Sequence, residues 1–178
     1  MRIAIVDDDE GSVDFVSQVL EQAGHSCVPF HRSRDVPMAL QRDTYDLLIL
    51  DWNMPDMTGM DILAWARANL PTCPPAIMLT SRSDKDDIAA ALNAGADDFI
   101  VKPESAVVIA ARVEALLRRT ATQPVDSRIE THGPYVFDRL DESVTLNGEP
   151  VVLTSKEFAL ARLFFANQHK PLSRRYLM

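Results

Sequence analysis

The sequence predicts an α/β protein, in which a five-stranded, doubly wound parallel sheet is followed by a small partial α+β module. Three observations lead there. Short apolar runs alternate with amphipathic stretches through the first 119 residues, the βαβα order of a parallel sheet covered by helices on both faces. The runs are continuously apolar, as strands buried on both faces must be. After a polar stretch at 120–131 the pattern changes to short strands with hairpin signals and an amphipathic helix.

Five strands are expected at 3–6, 26–30, 47–50, 76–79 and 98–101, each short and rich in Val, Ile or Leu. The helix at 10–23 gathers Val13, Val16, Val19, Leu20 and Ala23 on one face, and Gly24 closes it, a favoured residue just past a helix end. The helix at 84–94, closed by Gly95, repeats that design. At 106–119 the spacing turns Val107, Ile109, Ala110, Val113 and Leu117 inward, and Arg118-Arg119 suit the negative end of the helix dipole. A first domain therefore covers 1–119, a linker containing Pro124 covers 120–131, and a second module covers 132–178. In that module strands are expected at 135–138 and 143–146, and Asn147-Gly148 before Val151-Val152-Leu153 is a hairpin signal. Thr154-Ser155-Lys156-Glu157 reads as a capping box opening a helix with Phe158, Leu160, Ala161, Phe164 and Phe165 on a wide apolar face. Residues 167–171 break that helix, and Ser173 would cap another of which only one turn is present.

Composition narrows the function classes. With 178 residues, 47% hydrophobic and 25% charged, the chain is neither disordered nor collagen-like. Its apolar runs are too short for a membrane span or a signal peptide, so a cytoplasmic location is expected. Cys27 and Cys73 are far apart and lack metal-ligand spacing, which points to buried free thiols. The net charge is -8, with all of the excess acid in the first 120 residues; any contact with nucleic acid falls to the remainder. Trp52 and Trp65 read as packing residues, and His25, His31, His132 and His169 share no spacing.

In parallel α/β sheets ligands sit beyond the carboxyl ends of the strands. At four of the five ends stand Asp7-Asp8-Asp9, Asp51, Thr80-Ser81 and Lys102-Pro103. Clustered carboxylates repel one another and call for a hard cation, Mg²⁺ by preference or Mn²⁺, which favours one or two carboxylates together with waters and phosphate oxygens. Lys102 and the Thr80 hydroxyl would meet the remaining phosphoryl oxygens. A carboxylate nucleophile, a metal and a point cation are the recurring parts of phosphoryl transfer. Taken singly, Asp9 and Glu10 read as helix caps, Asp51 as a turn former, Thr80 as a cap and Lys102 as a surface lysine; their convergence is what speaks for chemistry.

Four segments carry a family resemblance: Ile5-Val6-Asp7-Asp8; Leu50-Asp51-Trp52-Asn53-Met54-Pro55 with Gly59; Leu79-Thr80-Ser81; and Gly95-Ala96-Asp97-Asp98-Phe99-Ile100-Val101-Lys102-Pro103. In this order they resemble the flavodoxin-like receiver domain of two-component response regulators, over residues 1 to about 119. The resemblance implies that Asp51 accepts a phosphoryl group from a sensor histidine kinase. It implies that Asp8, Asp51 and the Asn53 carbonyl hold Mg²⁺ with Asp7 assisting, and that Thr80 and Lys102 bind phosphoryl oxygens. It also implies that the Lys102-Pro103 bond is cis, and that Phe99 turns inward on activation. Residues 134–177 resemble the start of an OmpR-type winged-helix effector domain, through the run from Asn147 to Phe158 and Leu172-Ser173-Arg174; the recognition helix and wing of that family are not in this chain. DNA binding is expected only with the full effector domain.

Two residues depart from the OmpR-type pattern: Asn53 stands at a usually apolar position and Glu104 replaces the usual aromatic after Lys-Pro. The family's homodimer face on the fourth helix, fifth strand and fifth helix is matched by Asp97, Asp98, Arg112 and Arg119, whereas Ile88 and Asn93 replace charged residues. The expected function is a phosphorylation-controlled transcriptional regulator that catalyses nothing beyond its own phosphorylation and dephosphorylation. A phosphorelay or interaction module without DNA binding is the alternative. An enzyme on a similar fold ranks lower, because the chain has neither GxGxxG nor a P-loop.

Overall fold

The computed structural model describes residues 1–120, 128–168 and 171–172. Its first unit runs β1 (Arg2–Val6), α1 (Glu10–Gln22), β2 (Ser26–Phe30), a 3-10 turn (Ser33–Asp35), α2 (Val36–Arg42), β3 (Leu47–Leu50), α3 (Gly59–Asn69), β4 (Ala76–Thr80), α4 (Lys85–Asn93), β5 (Asp98–Val101) and α5 (Ala106–Thr120). The strands form one sheet in the order β2-β1-β3-β4-β5, with every pair parallel.

The pleat explains why these strands are apolar throughout. Successive side chains point to opposite faces, so Ile3, Ile5, Leu47, Ile49, Ile77 and Leu79 meet Val13, Val16 and Leu20 of α1 and Ile109, Val113, Leu116 and Leu117 of α5. Their neighbours Ala4, Val6, Leu48, Leu50, Ala76 and Met78 point the other way, toward Leu40 of α2, Ile62, Leu63 and Ala66 of α3 and Ala91 of α4. Each fully buried Leu or Ile contributes roughly 1.5–3 kcal/mol, so the sheet is held from both sides and its ends alone are free to be polar.

The second unit comprises β6 (Ile129–His132), β7 (Tyr135–Asp138), β8 (Ser143–Leu146), β9 (Glu149–Val151) and α6 (Ser155–Ala166). Its strands form an antiparallel sheet in sequence order. Asn147 and Gly148, both at positive φ (53° and 87°), make the hairpin between β8 and β9. Phe137, Val144 and Phe158 are its buried core, with the Phe137 ring 5.1 Å from that of Phe165. The Thr154–Glu157 capping box opens α6 as expected.

Several expectations need correction. Val107 is exposed and Leu116 takes the inward place on α5, because the helix presents a different stripe to α1. Ala23 is exposed beyond the end of α1. The stretch read as linker overlaps both α5, which includes Thr120, and β6, whose residues pair with β7; residues 121–127 lie outside the described residues. Val152, expected in a strand, follows β9 and is exposed, and on α6 Leu160 and Phe164 face outward. The thiols of Cys27 and Cys73 are free but only partly buried. Burial and the charge of Glu21 push the Cys27 thiol up to about 11. The helix start expected at Ser173, with Arg174 and Arg175, lies outside the described residues.

One close approach fixes α3 against β3. A Cβ on Gly59 would lie 2.1 Å from the Asp51 carbonyl oxygen and 3.1 Å from Met78 Cε. Thr58 and Asp61 form the capping box that starts the helix at this point. Gly59→Ala therefore forces α3 and β3 apart, with an expected loss of about 1–3 kcal/mol and a fall of about 2–4 °C in Tm for each kcal/mol; an unchanged melting curve would contradict this packing.

Candidate phosphoacceptor site

Each polar residue of the site stands where an apolar strand stops. Asp7 follows β1, and its N–H donates to the Phe30 carbonyl at 3.1 Å. Asp51 follows β3, its N–H donating to the Val6 carbonyl at 2.8 Å. Thr80 is the last residue of β4, and the Lys102 N–H after β5 donates to the Thr80 carbonyl at 2.8 Å. Backbone pairing thus continues past the strand ends and carries four functional residues to one edge of the sheet.

Lys102 Nζ sits between two carboxylates, 2.5 Å from Asp7 Oδ2 and 3.1 Å from Asp51 Oδ1. The remaining oxygens are held by backbone: Asp51 Oδ2 accepts the Asn53 N–H at 2.7 Å, and Asp7 Oδ1 accepts the Asp9 N–H at 3.0 Å. Asp7 and Asp51 are buried while Asp8 is exposed. Carboxylate oxygens of Asp7, Asp8 and Asp51 lie within 4.8 Å of one another. One ammonium among three carboxylates leaves the cluster net negative, and the all-oxygen donor set fits a hard divalent cation. Asp7, Asp8 and Asp51 are the side chains that could hold it.

The electrostatics follow from this shared ammonium. Burial lifts the Asp51 carboxyl above its ordinary range; the hydrogen bond and charge of Lys102 pull it down, and the charge of Asp7 pushes it up again. Burial works against the Lys102 ammonium, but its bonds to Asp7 and Asp51 outweigh that cost and raise its pKa. Lys102 thus stays charged, and two acids divide its favour between them.

The other expected residues fall as follows. The Thr80 side chain is buried, its Oγ1 accepting the Arg82 N–H at 3.4 Å. The Lys102-Pro103 peptide is cis, and Pro103 is exposed beside the site. The Asn53 side chain turns away from the acids and accepts from Arg82 Nε at 3.1 Å. Phe99, the aromatic that the resemblance assigns to the switch, is buried on β5, where it pairs with Met78 of β4. Asp9 is a cap, as read: it accepts the Gly11 N–H at 3.1 Å at the start of α1. His25 Nε2 pairs with Glu114 at 2.9 Å, away from the site.

Two residues escaped the sequence reading. Arg82 spans the mouth, its guanidinium 5.0 Å from the Trp52 ring centroid, with Nη1 on the Asp87 carboxylate at 3.2 and 3.3 Å. A cation two positions beyond Thr80 was the available signal. Ser33 gave none, because a lone serine between β2 and α2 has no motif; its hydroxyl reaches the β3–α3 connection.

Comparison with known proteins agrees with this geometry. Residues 3–114 match the family model described as the response regulator receiver domain. The chain is 34% identical, across its whole length and 76% of the relative, to the probable transcriptional regulatory protein TcrX of Mycobacterium tuberculosis. It is 31% identical to the phosphate regulon transcriptional regulatory protein PhoB of Pseudomonas aeruginosa, covering 99% of this chain and 77% of that one. Among solved structures it superposes on the response regulator DrrB of Thermotoga maritima, an OmpR/PhoB homologue, with a TM-score of 0.60 and 28% identity, over 99% of this chain and 77% of the other. A receiver domain from a Francisella response regulator superposes with a TM-score of 0.63 at 25% identity, over 67% of this chain and 98% of that one. The chain belongs to the response regulator receiver domain family. Its relatives are OmpR/PhoB-type transcriptional regulators, and the second antiparallel sheet fits their C-terminal winged-helix module. Among the described residues no helix is long and apolar enough to cross a membrane.

The raised Asp51 carboxyl has a sign that can be measured. Asp51 binds its proton more tightly folded than unfolded, so its contribution to stability is complete below the ordinary carboxylate range, near pH ~3.9. That contribution is lost as the pH rises through the raised value. In the absence of divalent cation, Asp51→Asn is therefore expected to melt higher than the wild type at pH 7, with the difference narrowing as the pH falls through that window. A lower Tm for the variant at pH 7 would show Asp51 to be a net stabiliser.

Proposed function

We propose that this chain is the phosphoryl-accepting part of a two-component transcriptional regulator, with Asp51 as the acceptor. The observation that carries the reading is the Lys102 ammonium seated between Asp7 and Asp51 at an open sheet edge, with the Thr80 hydroxyl at the end of the adjoining strand. An Asp51 oxygen attacks the phosphorus of a phosphohistidine on a sensor kinase; the new P–O bond forms as the N–P bond breaks, and the electron pair returns to the imidazole nitrogen, which takes up a proton. Lys102 and Thr80 bind the oxygens of the transferred group, and water later hydrolyses the acyl phosphate, so that the chemistry in this reading is the chain's own phosphorylation and dephosphorylation. Asp8, Asp51 and the Asn53 carbonyl, with Asp7 assisting, would hold Mg²⁺ or Mn²⁺, which would supply charge neutralisation for the transfer.

Output in this reading is transcriptional, because relatives covering nearly the whole chain are named as transcriptional regulators. It works in the cytoplasm, and DNA contact belongs to the complete winged-helix domain. A homodimer would use α4, β5 and α5. On that face Arg112 already pairs with Asp98 at 3.0 Å, and Asp97 is taken by Arg67 of α3 at 3.0 Å, so a dimer that uses these acids exchanges internal ion pairs for external ones.

Incubation with acetyl phosphate and Mg²⁺, read by intact mass, tests the acceptor. The wild type is expected to gain one phosphoryl group, while Asp51→Asn or a chelator abolishes the gain. A folded wild type that takes up none would make this an interaction domain independent of phosphorylation.

The switch has its own test. Charge-assisted hydrogen bonds contribute roughly 1.5–3 kcal/mol each, so bonds to Lys102, Thr80 and a backbone N–H approach the ~5.5 kcal/mol that inverts a 1:99 population. Thr80→Ala is expected to accept the phosphoryl group yet lose the change in amide exchange over α4, β5 and α5; an unaltered surface response in this variant would exclude Thr80 as the coupling residue.

A further inference from the structure

The connection from β3 to α3 carries the part of the site that no regular element holds. Within it the Met57 N–H donates to the Pro55 carbonyl at 2.9 Å, closing a three-residue turn around Asp56. Asp56 has φ 68°, a left-handed conformation. A γ-turn of this hand is rare and strained, and a non-glycine residue keeps such a conformation only where its surroundings impose it.

Ser33 imposes it from another part of the chain. Its side chain lies in the 3-10 turn after β2 and the residue is 2% exposed. The hydroxyl donates to the Pro55 carbonyl at 2.6 Å and accepts the Met57 N–H at 3.1 Å. One hydroxyl therefore meets both groups that close the turn. A hydroxyl suits this task because it combines one donor with two acceptor lone pairs. On its other flanks the loop is tied by Met54, buried in the core, and by the Gly59 N–H, which donates to the Trp52 carbonyl at 3.1 Å.

We infer that Ser33 is a positioning residue whose buried hydroxyl clamps the strained turn at Asp56 and so holds Asn53 and Asp51 in the arrangement that receives the cation. This rests on the phosphoacceptor reading given above. Ser33 touches neither the cation nor the phosphoryl group; it acts through the loop. Outer residues that orient metal ligands typically change affinity by about 10–100-fold when removed.

The test is a Mg²⁺ titration of the metal-free full chain, followed by the fluorescence of Trp52 beside Asp51. Ser33→Ala is expected to raise the half-saturating Mg²⁺ concentration about tenfold. Adding Asp56→Gly to that variant is expected to restore most of the affinity, because glycine adopts φ 68° without strain and no longer requires the clamp. The Tm of each variant is measured beside its titration, and an affinity that merely follows Tm would overturn the proposal. Wild-type half-saturation in Ser33→Ala, or a loss that Asp56→Gly leaves uncorrected, would overturn the proposal.

Should Ser33→Ala not fold, amide exchange of the wild type decides. Met57 N–H is expected to be the most protected amide between residues 52 and 58, and an unprotected Met57 overturns the clamp. Neither measurement requires phosphoryl uptake. A wild type that takes up no phosphoryl group yet shows the Ser33 effect on Mg²⁺ binding supports the clamp and removes the acceptor role of Asp51.

Discussion

The site depends on a single cation placed between two buried acids. Lys102 reaches Asp7 and Asp51 only because β5 is in register with β4, β4 with β3, and β3 with β1. Burying two acids around one ammonium is costly, and for Asp51 Lys102 offsets that cost only in part, so its carboxyl stays raised. The cluster is held by the fold more than it holds the fold. The arrangement stays under-neutralised, which is what makes it receptive to a further cation and then to a phosphoryl group that shares Lys102.

Around this cluster the molecule divides its labour by depth. The strands spend both faces on packing, against α1 and α5 on one side and α2, α3 and α4 on the other. No strand side chain within the layers remains for chemistry, so polar function is displaced to the termini and the loops behind them. The loops are held with unequal firmness. Asp7 and Asp51 continue the sheet's hydrogen bonding, whereas the stretch beyond Asp51 relies on Met54, Gly59 and Ser33. Arg82 closes the outer side, linking Asn53 and Trp52 after β3 to Asp87 in the first turn of α4.

Much of this was legible in the sequence for a physical reason. Strands buried on both faces must be apolar to their last residue, so the change to Asp7, Asp51, Thr80 and Lys102 marks both where each strand stops and where the site begins. Glycines past helix ends, the Thr154–Glu157 box and Asn147-Gly148 express local backbone needs that no distant contact overrides. What escaped was set at a distance. Which stripe of α5 turns inward is decided by α1, so Val107 and Leu116 exchanged roles. The Arg82 bridge and the Ser33 clamp join segments with no shared pattern.

The two-sided burial of the sheet also bears on how the chain avoids misalignment. A strand with one wet face resists slipping because a shift exposes its apolar side, but β3 is apolar on both faces and has no such safeguard. Its alignment is pinned by what flanks it. At its beginning Asp46 exchanges bonds with the backbone of Arg2, its N–H reaching the Arg2 carbonyl and its carboxylate the Arg2 N–H, each at 2.7 Å. At its end Asp51 lies under Lys102. A two-residue slip would preserve the pleat yet drag one of these acids into an apolar layer. The acid offered here as the acceptor thus also acts as a stop against sliding, and a change made to tune its chemistry loosens the alignment of the strand that bears it.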